Sequence, residues 1–96
     1  MMLLPIRSRV LHFIATEKSA HITEVMAGLE ADYGSERQFT RANFVEHLLS
    51  LKENGLIDEE SHLMTEEGDL QIVYAINDEG INTINKYLPK KWRLNG

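Results

Sequence analysis

Between residues 35 and 47 the chain carries seven basic or neutral polar side chains around the start of one predicted helix. They are Ser35, Arg37, Gln38, Thr40, Arg41, Asn43 and His47. An arginine guanidinium donates two parallel hydrogen bonds, and the amide of Asn or Gln donates and accepts at the same time. Side chains of these types recognise planar polar groups by hydrogen bonding. This is the chemistry of binding, and it needs neither an activated nucleophile nor a metal.

The chain offers little for catalysis or metal binding. It has no cysteine, and its four histidines (His12, His21, His47 and His62) are scattered, with no pair at metal-ligand spacing beside a third ligand. Composition alone leaves a Ser/His/Asp triad open, but the chain has no nucleophile-elbow motif and no glycine-rich phosphate loop. We therefore predict that the protein is not an enzyme and uses no cofactor.

The length of 96 residues predicts a single domain over residues 1–96. The apolar start of the chain is too short for a signal peptide, and no run approaches the roughly 20 apolar residues that cross a bilayer. The absence of cysteine fits a reducing compartment. These features predict a soluble, cytoplasmic protein with no membrane partner.

Charge is distributed unevenly along the chain. The net charge is −5, yet residues 1–52 are neutral overall, residues 53–85 carry nine acids and no Lys or Arg, and residues 86–96 carry four basic residues and no acid. Any account of the function must explain this separation of an acidic block from a basic end.

Apolar residues at helical spacing predict two helices in the first third of the chain. The first runs from Pro5 to about Lys18. The second starts near Thr23, whose hydroxyl is expected to cap the first turn. It ends near Gly34, which is expected to take the left-handed conformation that often closes helices.

A third helix is predicted from Thr40, a good N-cap, to about residue 54. Its apolar stripe is expected to include Val45 and Leu49 at the edges, while Arg41 and His47 fall on the exposed face. A change to alternating polarity then predicts a hairpin, with one strand within 56–64, a loop at 65–69 and a second strand at 70–76. A last helix follows Asn77 and ends before Pro89.

Three stretches resemble the PadR and MarR groups of bacterial winged-helix regulators. Residues 22–29 are similar to the second helix of that fold, residues 44–57 to the end of its third helix and the first wing strand, and residues 74–80 to its Tyr-x-Leu-Thr-x-x-Gly segment. Asn77 stands where the family has Thr and keeps a capping oxygen. The resemblance implies an α+β winged helix: a three-helix bundle with a β-hairpin wing and a C-terminal helix.

The same resemblance implies a DNA-binding transcriptional regulator that acts as a homodimer. The helix at about 40–54 would enter the major groove, and the seven polar side chains named above would contact the DNA. The basic tail at 89–96, through Lys90, Lys91 and Arg93, would hold the phosphate backbone, unless it is simply a solvated tail. The apolar residues 1–6 and the surface that carries Trp92 are the expected dimer contact.

The acidic wing (residues 58–69) argues against a close approach to DNA. It contains six acids and no Lys or Arg, and duplex DNA repels acids. Either the third helix and the tail bind DNA with the wing turned away, or the protein does not bind DNA. In the alternative, the protein is an interaction module whose wing acids Glu59, Glu60, Glu66, Glu67 and Asp69 bind a basic partner.

Overall fold

The computed structural model describes residues 3–94. The predicted order of three helices, a hairpin and a fourth helix is confirmed, and one short additional strand follows the first helix. The elements are α1 Ile6–Glu17, β1 Ser19–Ala20, α2 Ile22–Tyr33, α3 Arg41–Glu53, β2 Ile57–Met64, β3 Leu70–Ile76 and α4 Asp78–Tyr87, followed by a 3-10 turn at Lys90–Trp92.

The ends of α1 and α2 differ from the predicted ends. Pro5 precedes the first turn of α1 instead of belonging to it. His21, and not Thr23, caps α2: its ring accepts from the N–H of Glu24, whose carboxylate accepts from the N–H of His21. Gly34 has a φ of −60° and a ψ of −24°, so the predicted left-handed cap is wrong.

The caps of α3 and α4 agree with the sequence. Thr40 Oγ1 accepts from the N–H of Asn43, and Asn77 Oδ1 accepts from the N–H of Gly80. The hairpin loop closes at Gly68, whose φ of +88° is favourable only for glycine.

The three strands form one antiparallel sheet in the order β1–β3–β2. Tyr74 in the central strand lies opposite Glu59 of β2 and Ala20 of β1, and a bulge between Glu59 and Ser61 interrupts the β2 ladder. The sequence did not reveal β1, because two residues are too short to show an alternating pattern.

The core lies between the helices and the inner face of the sheet. Its largest fully buried side chains include Tyr33 from α2, Phe44 from α3, Ile57 from β2 and Ile84 from α4. At the end of α4, Tyr87 is exposed and the capping residue Leu88 is buried. The packing holds the start of α3 and the hairpin in fixed positions on opposite sides of one cleft.

Candidate nucleic-acid interface

The turn that leads into α3 is fixed by its own hydrogen bonds. The Asn43 amide donates through Nδ2 to the carbonyl of Gln38 at 3.0 Å, and Thr40 Oγ1 accepts from the N–H of Asn43 at 3.2 Å. The ring of Phe39 meets that of Phe44 edge-on, with centroids 5.0 Å apart. Thr40 and Asn43 therefore shape the turn, and their predicted hydrogen-bonding groups are already engaged.

The exposed residues of this turn include Ser35, Arg37 and Gln38, and also the acid Glu36, whose charge offsets that of Arg37. Arg41 is also exposed and follows at the first turn of α3, where its guanidinium reaches Thr23 Oγ1 at 3.5 Å. A rigid turn that presents an arginine and a glutamine beside a helix N-terminus can form bidentate hydrogen bonds and approach an anion.

His47 does not belong to this exposed group, so its predicted exposure is wrong. It is only 9% exposed, and its Nδ1 accepts from Arg7 Nε at 3.1 Å. Burial first, and then the Arg7 charge, lower the pKa of His47, which keeps the ring neutral. The helical pattern misplaced His47 because it lies at the edge of the apolar stripe, where α1 covers α3.

The outer face of α3 is less polar than predicted. Val45 and Leu49, expected at the edges of the buried stripe, are 44% and 42% exposed, and Ala42 and Glu46 are exposed beside them. The central part of α3 therefore presents aliphatic carbons and one carboxylate, while its guanidinium and amide groups stand at its N-terminal end.

A second basic surface surrounds Trp92. Residues 1–16 and 80–96 contain six Lys and Arg and no acid, and these two segments meet where α1 contacts the C-terminal turn. Arg9 and Lys91 lie 5.3 and 5.4 Å from the Trp92 ring, and His12 meets that ring edge-on. We call Arg9, Lys90, Lys91 and Arg93 around Trp92 the terminal basic face.

The tail residues of this face are ordered against the domain. Trp92 is half-buried, and Arg93 Nε donates to the carbonyl of Leu88 at 3.1 Å. Lys90 and Lys91 remain exposed. A freely solvated tail is therefore wrong for residues 89–94. Asn95 and Gly96 of the predicted tail, and Met1 and Met2 of the predicted dimer contact, lie outside the described residues.

The start of the exposed turn is connected to the terminal basic face through the N-terminal segment. Tyr33, which ends α2 just before the turn, donates its hydroxyl to the carbonyl of Leu4 at 2.6 Å. Leu4 lines the same surface hollow as Lys91 and Trp92. The start of the turn thus adjoins the N-terminal segment that borders the basic face.

The acidic wing is not turned away from α3. Its base is tied to the helix by an ion pair between Lys52 and Glu59. At its tip, Glu67 and Asp69 line the same hollow as Arg41. A close approach of DNA to Arg41 would bring these two carboxylates near the phosphates, where they would be repelled.

Other classes of site find little support in the described part of the chain. Within residues 3–94, no group of three or more His, Asp or Glu is close enough to hold a metal ion. No helix in that range is both long and apolar enough to traverse a bilayer.

Comparison with known proteins identifies the fold. No family model matches the chain, and no curated protein matches it. Among solved structures, it is similar to a protein of Thermoplasma acidophilum described as a candidate transcriptional regulator. The match has a TM-score of 0.63 and 23% sequence identity, and covers 80% of this chain and 70% of the other. The predicted α+β winged-helix fold is confirmed.

Proposed function

We propose that the protein binds duplex DNA and regulates transcription, as a binding protein and not an enzyme. The observation that carries the proposal is the combination, in one winged-helix fold, of an exposed turn that presents Arg37 and Gln38 just before Arg41 with the terminal basic face. The likeness to a candidate regulator supports it. A role on DNA agrees with the cytoplasmic location predicted from the sequence.

In this proposal the two features make different contacts with the DNA. Arg37 and Gln38 in the turn contact base edges, because their side chains can form bidentate hydrogen bonds. Arg41 contacts them with the duplex on the turn side of α3, away from the carboxylates of Glu67 and Asp69. Lys90, Lys91 and Arg93 contact phosphates, which fix the register of the protein on the duplex. Thr40 and Asn43 act indirectly by holding the shape of the turn.

We also propose that the protein acts as a homodimer. A two-fold dimer would place two copies of α3 about one helical turn apart on a roughly palindromic site. The apolar side of the hollow, formed by Leu3, Pro5 and Pro89, supports a contact between copies at the terminal segments that leaves the exposed Lys91 at its rim to the phosphates. Sedimentation equilibrium with and without an operator fragment measures this directly, and a monomer on the DNA would refute the dimer.

Variants that each remove one positive charge test the DNA proposal. Arg37→Gln and Lys91→Gln each remove one positive charge from the proposed interface, and Lys18→Gln removes one at the far end of α1. We expect Lys91→Gln to reduce the salt dependence of binding by about one unit of slope. Arg37→Gln and Arg41→Ala should weaken specific binding by roughly 1–3 kcal/mol.

The readout is fluorescence anisotropy of labelled fragments from the neighbourhood of the gene. Lys18→Gln should bind like the wild type. If all variants lose the same amount of DNA affinity, only the net charge of the protein matters. If Arg37→Gln and Arg41→Ala keep the wild-type affinity, the turn does not recognise the DNA sequence.

A second candidate function has its own observation. The acids Glu59, Glu60, Glu66, Glu67 and Asp69 are all exposed on the hairpin, and the hairpin is fixed to α3 rather than free. An ordered acidic surface favours a protein partner with a basic face, where charge complementarity sets the encounter rate and the specificity. Reversing the charge of Glu66, Glu67 and Asp69 should weaken such a partner and leave DNA binding unchanged or stronger.

A further inference from the structure

An apolar cleft runs between α3 and the hairpin. Val45 and Leu49 form one wall, Leu70 of β3 forms the other, and Ile72 and Tyr74 lie at the floor. The two wall residues of α3 are 44% and 42% exposed, and Leu70 is 61% exposed. The cleft has a volume of about 200 Å3. Exposed aliphatic side chains on both walls can all be covered by one occupant.

The two ends of the cleft differ. At the base of the hairpin, the Lys52–Glu59 ion pair joins α3 to β2. At the tip, the cleft continues into a polar hollow of about 690 Å3, which shares Arg41, Leu70 and Gln71 with it and adds Glu67 and Asp69. An occupant of the cleft therefore emerges beside two carboxylates.

Negative charge dominates the surroundings of the cleft. Glu67 and Asp69 stand at the tip, and Glu46 lies exposed on the same outer face of α3 as Val45 and Leu49. Among the described residues that line the cleft and the hollow, Arg41 is the single basic side chain, and its guanidinium is directed to Thr23 of α2. The matching occupant combines aliphatic side chains with positive charge.

We propose that this cleft binds a basic amphipathic segment of a partner protein. Leu or Ile side chains at helical spacing would lie against Val45, Leu49 and Leu70, and Lys or Arg side chains on the flanks would meet Glu67, Asp69 and Glu46. This is the helix-in-groove mode of recognition. The proposal gives the second candidate function a site and a partner chemistry, and it rests on that candidate and not on DNA binding.

Other occupants fit less well. Drug-sized ligands occupy pockets of about 300–1,000 Å3, so the apolar cleft alone is small for one. DNA would leave the aliphatic walls without apolar contacts and would bring phosphates against the acids. A partner helix covers the walls and neutralises the acids at once.

A designed peptide tests the proposal without a known partner. The probe is a fluorescently labelled 16-residue peptide of Leu and Lys, with Leu on one helical face. Controls are a peptide of the same composition in scrambled order, which has no apolar face, and one in which Glu replaces Lys. We expect the amphipathic Leu/Lys peptide to bind at least about tenfold more tightly than either control, because the apolar face and the positive charge both contribute.

Protein variants locate the site. Leu49→Ser and Val45→Ser should each weaken the peptide at least about fivefold, since each removes aliphatic surface from one wall. Tyr87→Ser is the control: Tyr87 is 70% exposed on α4 and is not among the residues that line the cleft or the hollow. Each variant is first shown by circular dichroism to melt like the wild type. In 15N-labelled protein, the peptide should shift the amides of Val45, Leu49 and Leu70 most.

The outcomes separate this proposal from the others. Equal binding of the scrambled peptide, or equal weakening by Tyr87→Ser, would overturn it. The same titrations with duplex DNA provide the second comparison. If Leu49→Ser weakens DNA and peptide together, the cleft belongs to a DNA interface and the proposal is wrong. Loss of peptide binding with DNA binding intact supports it, and loss of DNA binding alone refutes the peptide site while leaving the first function standing.

Discussion

The substitution Gly80→Ala should destabilise the protein, although helix propensity alone predicts the opposite. Gly80 lies in the first turn of α4, and a Cβ built on it would stand 2.3 Å from the carbonyl oxygen of Leu56 and 2.5 Å from Ile76 Cδ1. The Leu56 backbone cannot easily yield, because its N–H bonds to the Leu51 carbonyl and the next residue, Ile57, is fully buried.

The size of the effect follows from two opposing terms. Alanine is favoured over glycine in a helix interior by about 1 kcal/mol. The Cβ would have to move about 0.7 Å away from the Leu56 oxygen to reach 3.0 Å, the shortest distance that real Cβ atoms show. Such overpacking typically costs 1–3 kcal/mol, and contact with fixed backbone belongs at the upper end of that range. The net loss is therefore about 1–2 kcal/mol.

Urea denaturation followed by circular dichroism measures this loss. With a slope of about 1 kcal/mol/M for a chain of this size, the midpoint should fall by about 1–2 M. Gly28→Ala is the matched comparison, because the three atoms nearest to a Cβ at Gly28 all belong to the Phe13 side chain, which can yield more easily than backbone. We expect Gly28→Ala to lose less. A Gly80→Ala protein as stable as the wild type would show that α4 does not lie as close to the Leu56 carbonyl as the structure places it.

Two further predictions concern the groups that join α1 to its neighbours. Tyr33→Phe removes the buried hydrogen bond to the Leu4 carbonyl and should cost about 1–3 kcal/mol in urea denaturation, whereas Tyr87→Phe, at an exposed site, should cost almost nothing. The pKa of His47 is lowered from its ordinary 6.5 in the folded protein. As the pH drops below about 6.5, the unfolded chain therefore takes up a proton at His47 more readily than the folded chain does. The free energy of unfolding should decline over that range. His47→Gln should make that decline shallower, and an unchanged slope would contradict the assignment of a buried, neutral ring.

Much of the fold could be predicted from local chemistry. Thr40 and Asn77 cap their helices as expected, and Gly68 provides the positive φ of the hairpin loop. These features depend on one or two residues and their immediate neighbours. The cap of α2 escaped prediction because His21 is not a common capping residue, and its ring works only together with the Glu24 carboxylate.

The site was harder to predict, because exposure depends on how elements pack. His47 is buried because α1 crosses that side of α3 and places Arg7 against it. Val45 and Leu49 are exposed because an open cleft separates the middle of α3 from the hairpin. The spacing of apolar residues within α3 predicts neither the burial of His47 nor the exposure of Val45 and Leu49. The terminal basic face likewise arises from segments at opposite ends of the chain.

The most direct test of the DNA proposal is a titration of the wild-type protein against duplex fragments at two salt concentrations. Several phosphate contacts release counterions, so affinity should decline steeply with salt, and one fragment should survive an excess of nonspecific competitor. That result, with Lys91→Gln showing a shallower salt slope, would establish the interface proposed here. Absence of binding at low salt, where even nonspecific attraction to DNA is strong, would contradict it and leave the acidic wing and its cleft as the functional surface.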